Sequence, residues 1–189
     1  MIKIKTEKIN TQDLSYAAFF AALTSILSYI SIPIGPVPIT GQSLAVILAG
    51  ITLTTKQAAL AMGGFILLGL IGLPVFAGGS AGFGVLFGPT GGYIVGYFFG
   101  AITISLLKKK DNYPRLILAV IIGGFVVLHF LGVIWLSYIT ETGLKEAFSM
   151  GTLPFIAGDI VKMILAVIIG VKINKHRNRL SPISVNSNQ

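Results

Sequence analysis

Long uncharged apolar runs alternate with short polar or proline-glycine breaks along this chain. A polar head holding Lys3, Lys5, Glu7, Lys8 and Asp13 gives way to a stretch from Leu14 to Thr55 without a single charge. Three prolines and a glycine in SIPIGPVPIT, 31–40, interrupt that stretch, because proline fixes φ and lacks an amide hydrogen. The pattern therefore predicts a helix over about 14–32, a turn, and a shorter helix over about 42–53. After Lys56 the next charge is Lys108, and helices are expected over about 57–73 and 91–107, on either side of PVFAGGSAGFGVLFGPTGGY. The charged hinge KKKDNYPR, 108–115, precedes a fifth helix over about 116–139; the polar connector TETGLKEAFSMGT, 140–152, precedes a sixth over about 154–171. A span needs roughly 20 apolar residues, so the expected architecture is an all-α integral membrane bundle of six transmembrane helices. The first run is read as a retained helix rather than a signal peptide, since further spans follow it. One membrane domain covers 1–189, with 172–189 a basic and polar tail whose end is expected to be disordered.

Composition supports the membrane reading: 54% of residues are hydrophobic, 11% are charged, and mean hydropathy is +0.88. A formal charge of +8 would suggest nucleic acid in a soluble chain, but here the positive residues cluster between apolar runs and report topology. Lys145 falls on one side and Lys162 within a span. Every other Lys and Arg falls on the side of the termini, which are therefore expected to be cytoplasmic. The absence of Cys excludes disulfides and, with only two His, argues against the usual metal sites.

The connector 74–93 is rich in glycine but too apolar for a solvated linker, and is expected to fold back into the bundle, where protein satisfies its backbone. This puts the proline-rich turn, the connector and the 140–152 loop together on the outer side. Beneath them lies the main chemical anomaly. Asp159 and Lys162 interrupt the apolar sixth span, each costing about 2.5 to 3.5 kcal/mol to insert, and their spacing puts them on one helix face. Asp159 lies about 9 Å into that helix. The pair can tie helices together, or it can offer an acceptor and a donor to a polar ligand in an outward-facing pocket. His129 in the fifth helix reads as a hydrogen-bonded structural residue. No catalytic motif accompanies these residues, and no Lys follows Gly88, Pro89 and Thr90 to make a phosphate-binding loop, so ATP hydrolysis would have to come from another chain. A solute-binding membrane protein remains.

The strings GPVPITGQSLAVILAG (35–50), GLPVFAGGSAGFGVLFGPTGGYIVGY (72–97) and PFIAGDIVK (154–162) resemble the signature blocks of the BioY family, the biotin-specific S components of energy-coupling factor transporters. The similarity covers roughly residues 14 to 171. It implies a prokaryotic cell-membrane protein that captures biotin outside and works with a transmembrane T component and two ATPase subunits. Biotin is then the transported ligand, and no cofactor is expected. The family's ligand-contacting Asp and Lys match Asp159 and Lys162, and a carboxylate beside an ammonium suits the donors and acceptor of a ureido ring. Some family members carry a basic residue in the connector, whereas 74–93 holds none here. The biotin carboxylate is left to Lys162, connector N–H groups, Ser80, Thr90 or Tyr93. Tyr93 reads equally as an interfacial anchor. Thr40 and Gln42 are ligand contacts or caps of the second helix; Gly78, Gly79, Gly88, Gly91 and Gly92 allow close packing or close approach to a ligand. Ala17, Ala18, Ala21 and Ala22 form two overlapping small-x-x-x-small pairs, which serve packing within the bundle or, as the resemblance implies, docking of the T component. Another vitamin as substrate, or a self-sufficient carrier using His129 or Asp159 as a proton site, are the alternatives.

Overall fold

The structure is a computed structural model that describes residues 9–109 and 112–180, with side chains described through Arg177. The basic residues Lys3, Lys5, Lys8 and Lys110, the side chain of Arg179 and the tail beyond Leu180 lie outside the described residues.

Helix α1, Thr11–Leu27, starts at a capping box in which Asn10 accepts from the Asp13 amide and Asp13 accepts from that of Asn10. It stops short of the expected end at 32. The chain instead forms a small antiparallel hairpin, β1 (Ser31–Ile32) with β2 (Ile39–Thr40), around the prolines. Helix α2, Gln42–Thr52, is the hub of the bundle: all its residues except Leu44 are buried, against α1, α5 (Gly91–Leu107) and α9 (Ile156–Leu180). A helix apolar on every side has no preferred exposed face, and burial on all sides is the consequence. It spans only about 16 Å. Its C-terminal carbonyls are met by other elements: Lys108 Nζ donates to Gly50, Ile51 and Leu53, Asn174 donates to Ile51, and Arg177 to Thr52.

Helix α3, Thr55–Leu70, is capped by Thr54 and Gln57. Its first turn also holds Asp13, through Lys56 at 2.7 Å and Gln57 at 2.8 Å. The Lys56 ammonium, with Gln57 and Asn10, pulls the Asp13 carboxyl down to about 2.

The connector contains structure of its own. Phe76 is fully buried edge-on against Phe65 and stands over Gly69, where any side chain would collide with its ring. A tight turn over Ala77–Gly79 follows, with Gly78 and Gly79 at φ of +65° and +78°, then a single helical turn, α4, Phe83–Leu86.

Helix α5, Gly91–Leu107, presents Gly92, Gly96 and Gly100 to a neighbour at four-residue spacing. Added Cβ atoms there would fall 2.2 to 3.0 Å from Trp135, Leu128 and Gly123, so these glycines let two backbones touch. The neighbour is one continuous helix, α6 (Tyr113–Val120) and α7 (Leu128–Thr140), joined by a π-helical stretch over Ile121–Val127.

Three further expectations are corrected. The connector 140–152 is not merely a polar loop: it carries helix α8, Leu144–Gly151, whose Ala147 and Gly151 pack inward. The last helix, α9, Ile156–Leu180, continues well past 171, because Asn174 and Arg177 have carbonyls of α2 to reach. The alanines of α1 do not form one outward face. Ala17 and Ala21 are buried in the bundle core, on the side from which α1 packs against α3 and α2, and only Ala18 and Ala22 are exposed.

Large apolar side chains cover much of the outer surface, among them Phe19, Leu67, Leu106, Phe130 and Ile164. Among the described residues two helical stretches, Tyr113–Thr140 and Leu144–Arg177, are long and apolar enough to cross a membrane; Gln42–Thr52, Thr55–Leu70 and Gly91–Leu107 are apolar but shorter.

Candidate functional site

The N-terminal ends of α2, α5 and α9 meet beside the hairpin, and the Asp159–Lys162 pair lies where they converge. Asp159 is 5% exposed and Lys162 somewhat more. Lys162 Nζ donates to Asp159 Oδ1 at 2.8 Å, to the Thr40 carbonyl at 3.0 Å and to Ser43 Oγ at 2.8 Å, which uses all three ammonium protons. The other carboxylate oxygen, Oδ2, is 2.8 Å from His129 Nε2, and His129 Nδ1 is 3.2 Å from Thr152 Oγ1. Among the described residues no buried side-chain nitrogen or oxygen lacks a hydrogen-bond partner. A buried charge pair this fully bonded offsets much of its desolvation cost.

A cavity of about 30 Å³ opens over these groups, with Val37 and Pro38 of the hairpin loop, Tyr93, Tyr97 and Phe155 among its walls. Tyr93 stacks on Phe155 with ring centres 6.4 Å apart and meets His129 edge-on. Its hydroxyl donates to the Gly151 carbonyl at 2.8 Å, so it ties α5 to α8 and is a buried wall, not an interfacial anchor.

Of the residues singled out from sequence, Asp159, Lys162, Thr40 and Tyr93 come together here. Thr40 contributes its backbone carbonyl, while its hydroxyl turns to Gln42. Gln42 itself is a tether, donating from Nε2 to the Val75 carbonyl and so holding the connector against α2. Apart from Tyr93, the connector residues are not among the cavity walls. The Gly78 amide donates to the Ser28 carbonyl, Gly79 makes the tight turn, and Ser80 Oγ donates to the Ala77 carbonyl. Further on, the Gly88 carbonyl accepts from Trp135, Thr90 donates to the Val85 carbonyl, and Gly91 and Gly92 leave room for Leu86 and Trp135.

Sequence reasoning assigned His129 a structural role and missed Ser43, Tyr97 and Phe155. His129 is aimed by the π-helical stretch just before it. Bonding from i to i+5 turns the following residues to a different face from the one a plain α-helix would present, and that register shift is invisible in an apolar run.

Residues 4–179 match the BioY family model. The chain is 39% identical over 159 residues to the biotin transporter BioY of Thermotoga maritima, covering 84% of this chain and 94% of that protein. It is 37% identical over 174 residues to the biotin transporter BioY of Rhizobium etli, covering 86% and 92%. Its fold matches the crystal structure of the S-component for biotin from an ECF-type ABC transporter with a TM-score of 0.80 and 34% identity, covering 89% of this chain and 95% of that one. A family match over nearly the whole length, with relatives this similar end to end, establishes that the chain belongs to the BioY family.

Proposed function

We propose that this chain is the biotin-binding S component of an energy-coupling factor transporter, capturing biotin at the Asp159–Lys162 site. The observation that carries the reading is a carboxylate and an ammonium bonded side by side under aromatic walls, in a chain of this family. A ureido ring presents two N–H donors and one carbonyl acceptor. Asp159 accepts from the N–H groups with lone pairs left over from Lys162 and His129; Lys162 exchanges its bonds to Thr40 and Ser43 for the ureido carbonyl or the ligand carboxylate. Tyr93 and Phe155 flank the apolar part of the ligand. A cavity of about 30 Å³ holds roughly one water, so admission of biotin requires the hairpin loop and the Phe155 turn to move apart. Connector residues Gly78, Gly79, Ser80, Gly88, Thr90 and Gly91, with Gln42, reach the ligand only through such a rearrangement.

The chain is a single membrane domain of six spans with a cytoplasmic basic tail. Both termini are cytoplasmic, and the connector folds over an outward-facing pocket. The basic end of the bundle, with Lys56, Lys108 and Arg177, lies opposite the site and suits the cytoplasmic surface. The chain carries no nucleotide-binding motif, so it is not itself an enzyme and depends on ATPase partners. A T component docks on α1 through the exposed Ala18 and Ala22. The reading is tested with the purified chain in liposomes, alone and with T component and ATPases. Biotin should bind in both cases, in preference to other vitamins, and accumulate only with the full complex and ATP. Accumulation by the lone chain on a proton gradient would refute it.

A further inference from the structure

His129 is buried, at 5% exposure, and every polar atom of its ring is engaged. Its Nε2 faces Asp159 Oδ2, and a carboxylate beside an ammonium is ionised and can only accept, so Nε2 carries a hydrogen. Its Nδ1 faces Thr152 Oγ1, which is itself almost fully buried and, among the described residues, makes no other side-chain hydrogen bond. With Thr152 donating to Nδ1, a neutral imidazole satisfies both contacts, and Asp159 and Lys162 cancel in charge. A protonated ring would add a second cation to a site with one carboxylate. Phe125, with its ring centre 4.6 Å away, Phe155 and Tyr93 prevent the ring from tilting.

Lys162 has a flexible stem, and on the reading above it changes partners when ligand arrives. Its single bond to Oδ1, kept while Thr40 and Ser43 are exchanged for the ligand, cannot by itself hold the carboxylate plane, because the ammonium moves on its stem as those two bonds are remade. The bond from His129 to Oδ2 can, because the ring is locked on both sides. We propose that His129 is a positioning residue for ligand recognition: held by Thr152 as the Nε2–H tautomer, it fixes the Asp159 carboxylate so that its free lone pairs meet the ureido N–H groups. A residue read from sequence as structural thereby becomes part of specificity. The inference rests on Asp159 being the ligand acceptor.

Binding of radiolabelled biotin by the purified full chain tests it, with His129→Leu, His129→Gln, Thr152→Val and each histidine variant also in an Asp159→Asn background. His129→Leu should weaken binding about tenfold or more, the scale of one hydrogen bond to a charged group. His129→Gln, whose amide nitrogen stands where Nε2 stood, should stay within about threefold of wild type. Because His129 acts through Asp159, the loss from His129→Leu should largely vanish in the Asp159→Asn background, since coupled sites are non-additive. Nitrogen-15 NMR of histidine-labelled protein, with His176 as the only other signal, should show an unprotonated Nδ1 that shifts in Thr152→Val. Equal affinities for wild type and His129→Leu, or a loss that persists undiminished beside Asp159→Asn, would overturn the inference and leave the biotin site standing. A protonated Nδ1 in wild type overturns it even if His129→Leu fails to fold. Unchanged binding by Asp159→Asn alone overturns the site and the inference together.

Discussion

Replacing Asp159 with Asn is the sharpest perturbation of the site, because it keeps shape and one acceptor oxygen while removing the charge. In the folded chain Asp159 accepts from Lys162 at Oδ1 and from His129 at Oδ2, each at 2.8 Å. An asparagine can keep its oxygen toward Lys162 and turn its amide nitrogen toward His129. The imidazole answers by moving its hydrogen to Nδ1, accepting at Nε2 and donating to Thr152. The variant should therefore fold. A ureido ring, however, then meets one acceptor oxygen without charge, and Lys162 has lost its counter-ion. Truncating one member of a buried charged pair typically costs about 2 to 5 kcal/mol in binding. At about 1.4 kcal/mol per tenfold, affinity should fall between roughly thirtyfold and several thousandfold. Calorimetry in detergent gives the affinity, and a thermal melt separates it from misfolding. The control is Asp159→Leu with Lys162→Leu, which removes both charges. That variant should still insert, yet melt lower than wild type, because Thr40, Ser43 and His129 lose partners, at about 1 to 3 kcal/mol for each buried group left unsatisfied. It should bind no measurable biotin. Near-normal biotin binding by the double variant would show that the pair only ties helices together.

The faces of α1 make opposite predictions: Ala18→Trp should spare biotin binding and weaken co-purification with the T component, whereas Ala17→Trp should destabilise the bundle itself, and the reverse pattern in pull-down and melting experiments would refute the assignment. At the basic end, Asp13 titrates at about 2 when folded against an ordinary 3.8, so its bond to Lys56 stabilises fully above about pH 4 and is lost as pH falls toward 2. Asp13→Asn should lower the melting temperature at neutral pH and flatten its dependence over that window; parallel wild-type and variant curves would count against the clasp. Gly96→Leu should separate α5 from α7 and abolish binding through loss of fold, visible as a collapsed melt; a variant that melts like wild type would show that the close glycine contact is dispensable.

Asp159 and Lys162 were legible from sequence because charge in an apolar run is costly enough to need a reason, and their spacing alone puts them on one helix face. The apolar runs, their proline and glycine breaks, and the charge asymmetry likewise followed from local chemistry and from the requirement that backbone polar groups be satisfied in lipid. Tertiary structure decided whatever depends on what stands opposite. Ala17 and Ala18 are identical residues on adjacent positions, and only the place where α3 packs makes one core and the other surface. His129 reaches Asp159 because a π-helical stretch re-aims it, and Thr152 meets it because the polar connector folds into α8; neither partner is near it in the chain. The connector glycines promised close approach of backbone, but glycine does not state what approaches: the ring of Phe76 over Gly69, the chain's own turns at Gly78 and Gly79, and Trp135 over Gly92. A periodicity fixes which residues share a face, whereas the neighbour that face meets is set by the packing of the whole bundle.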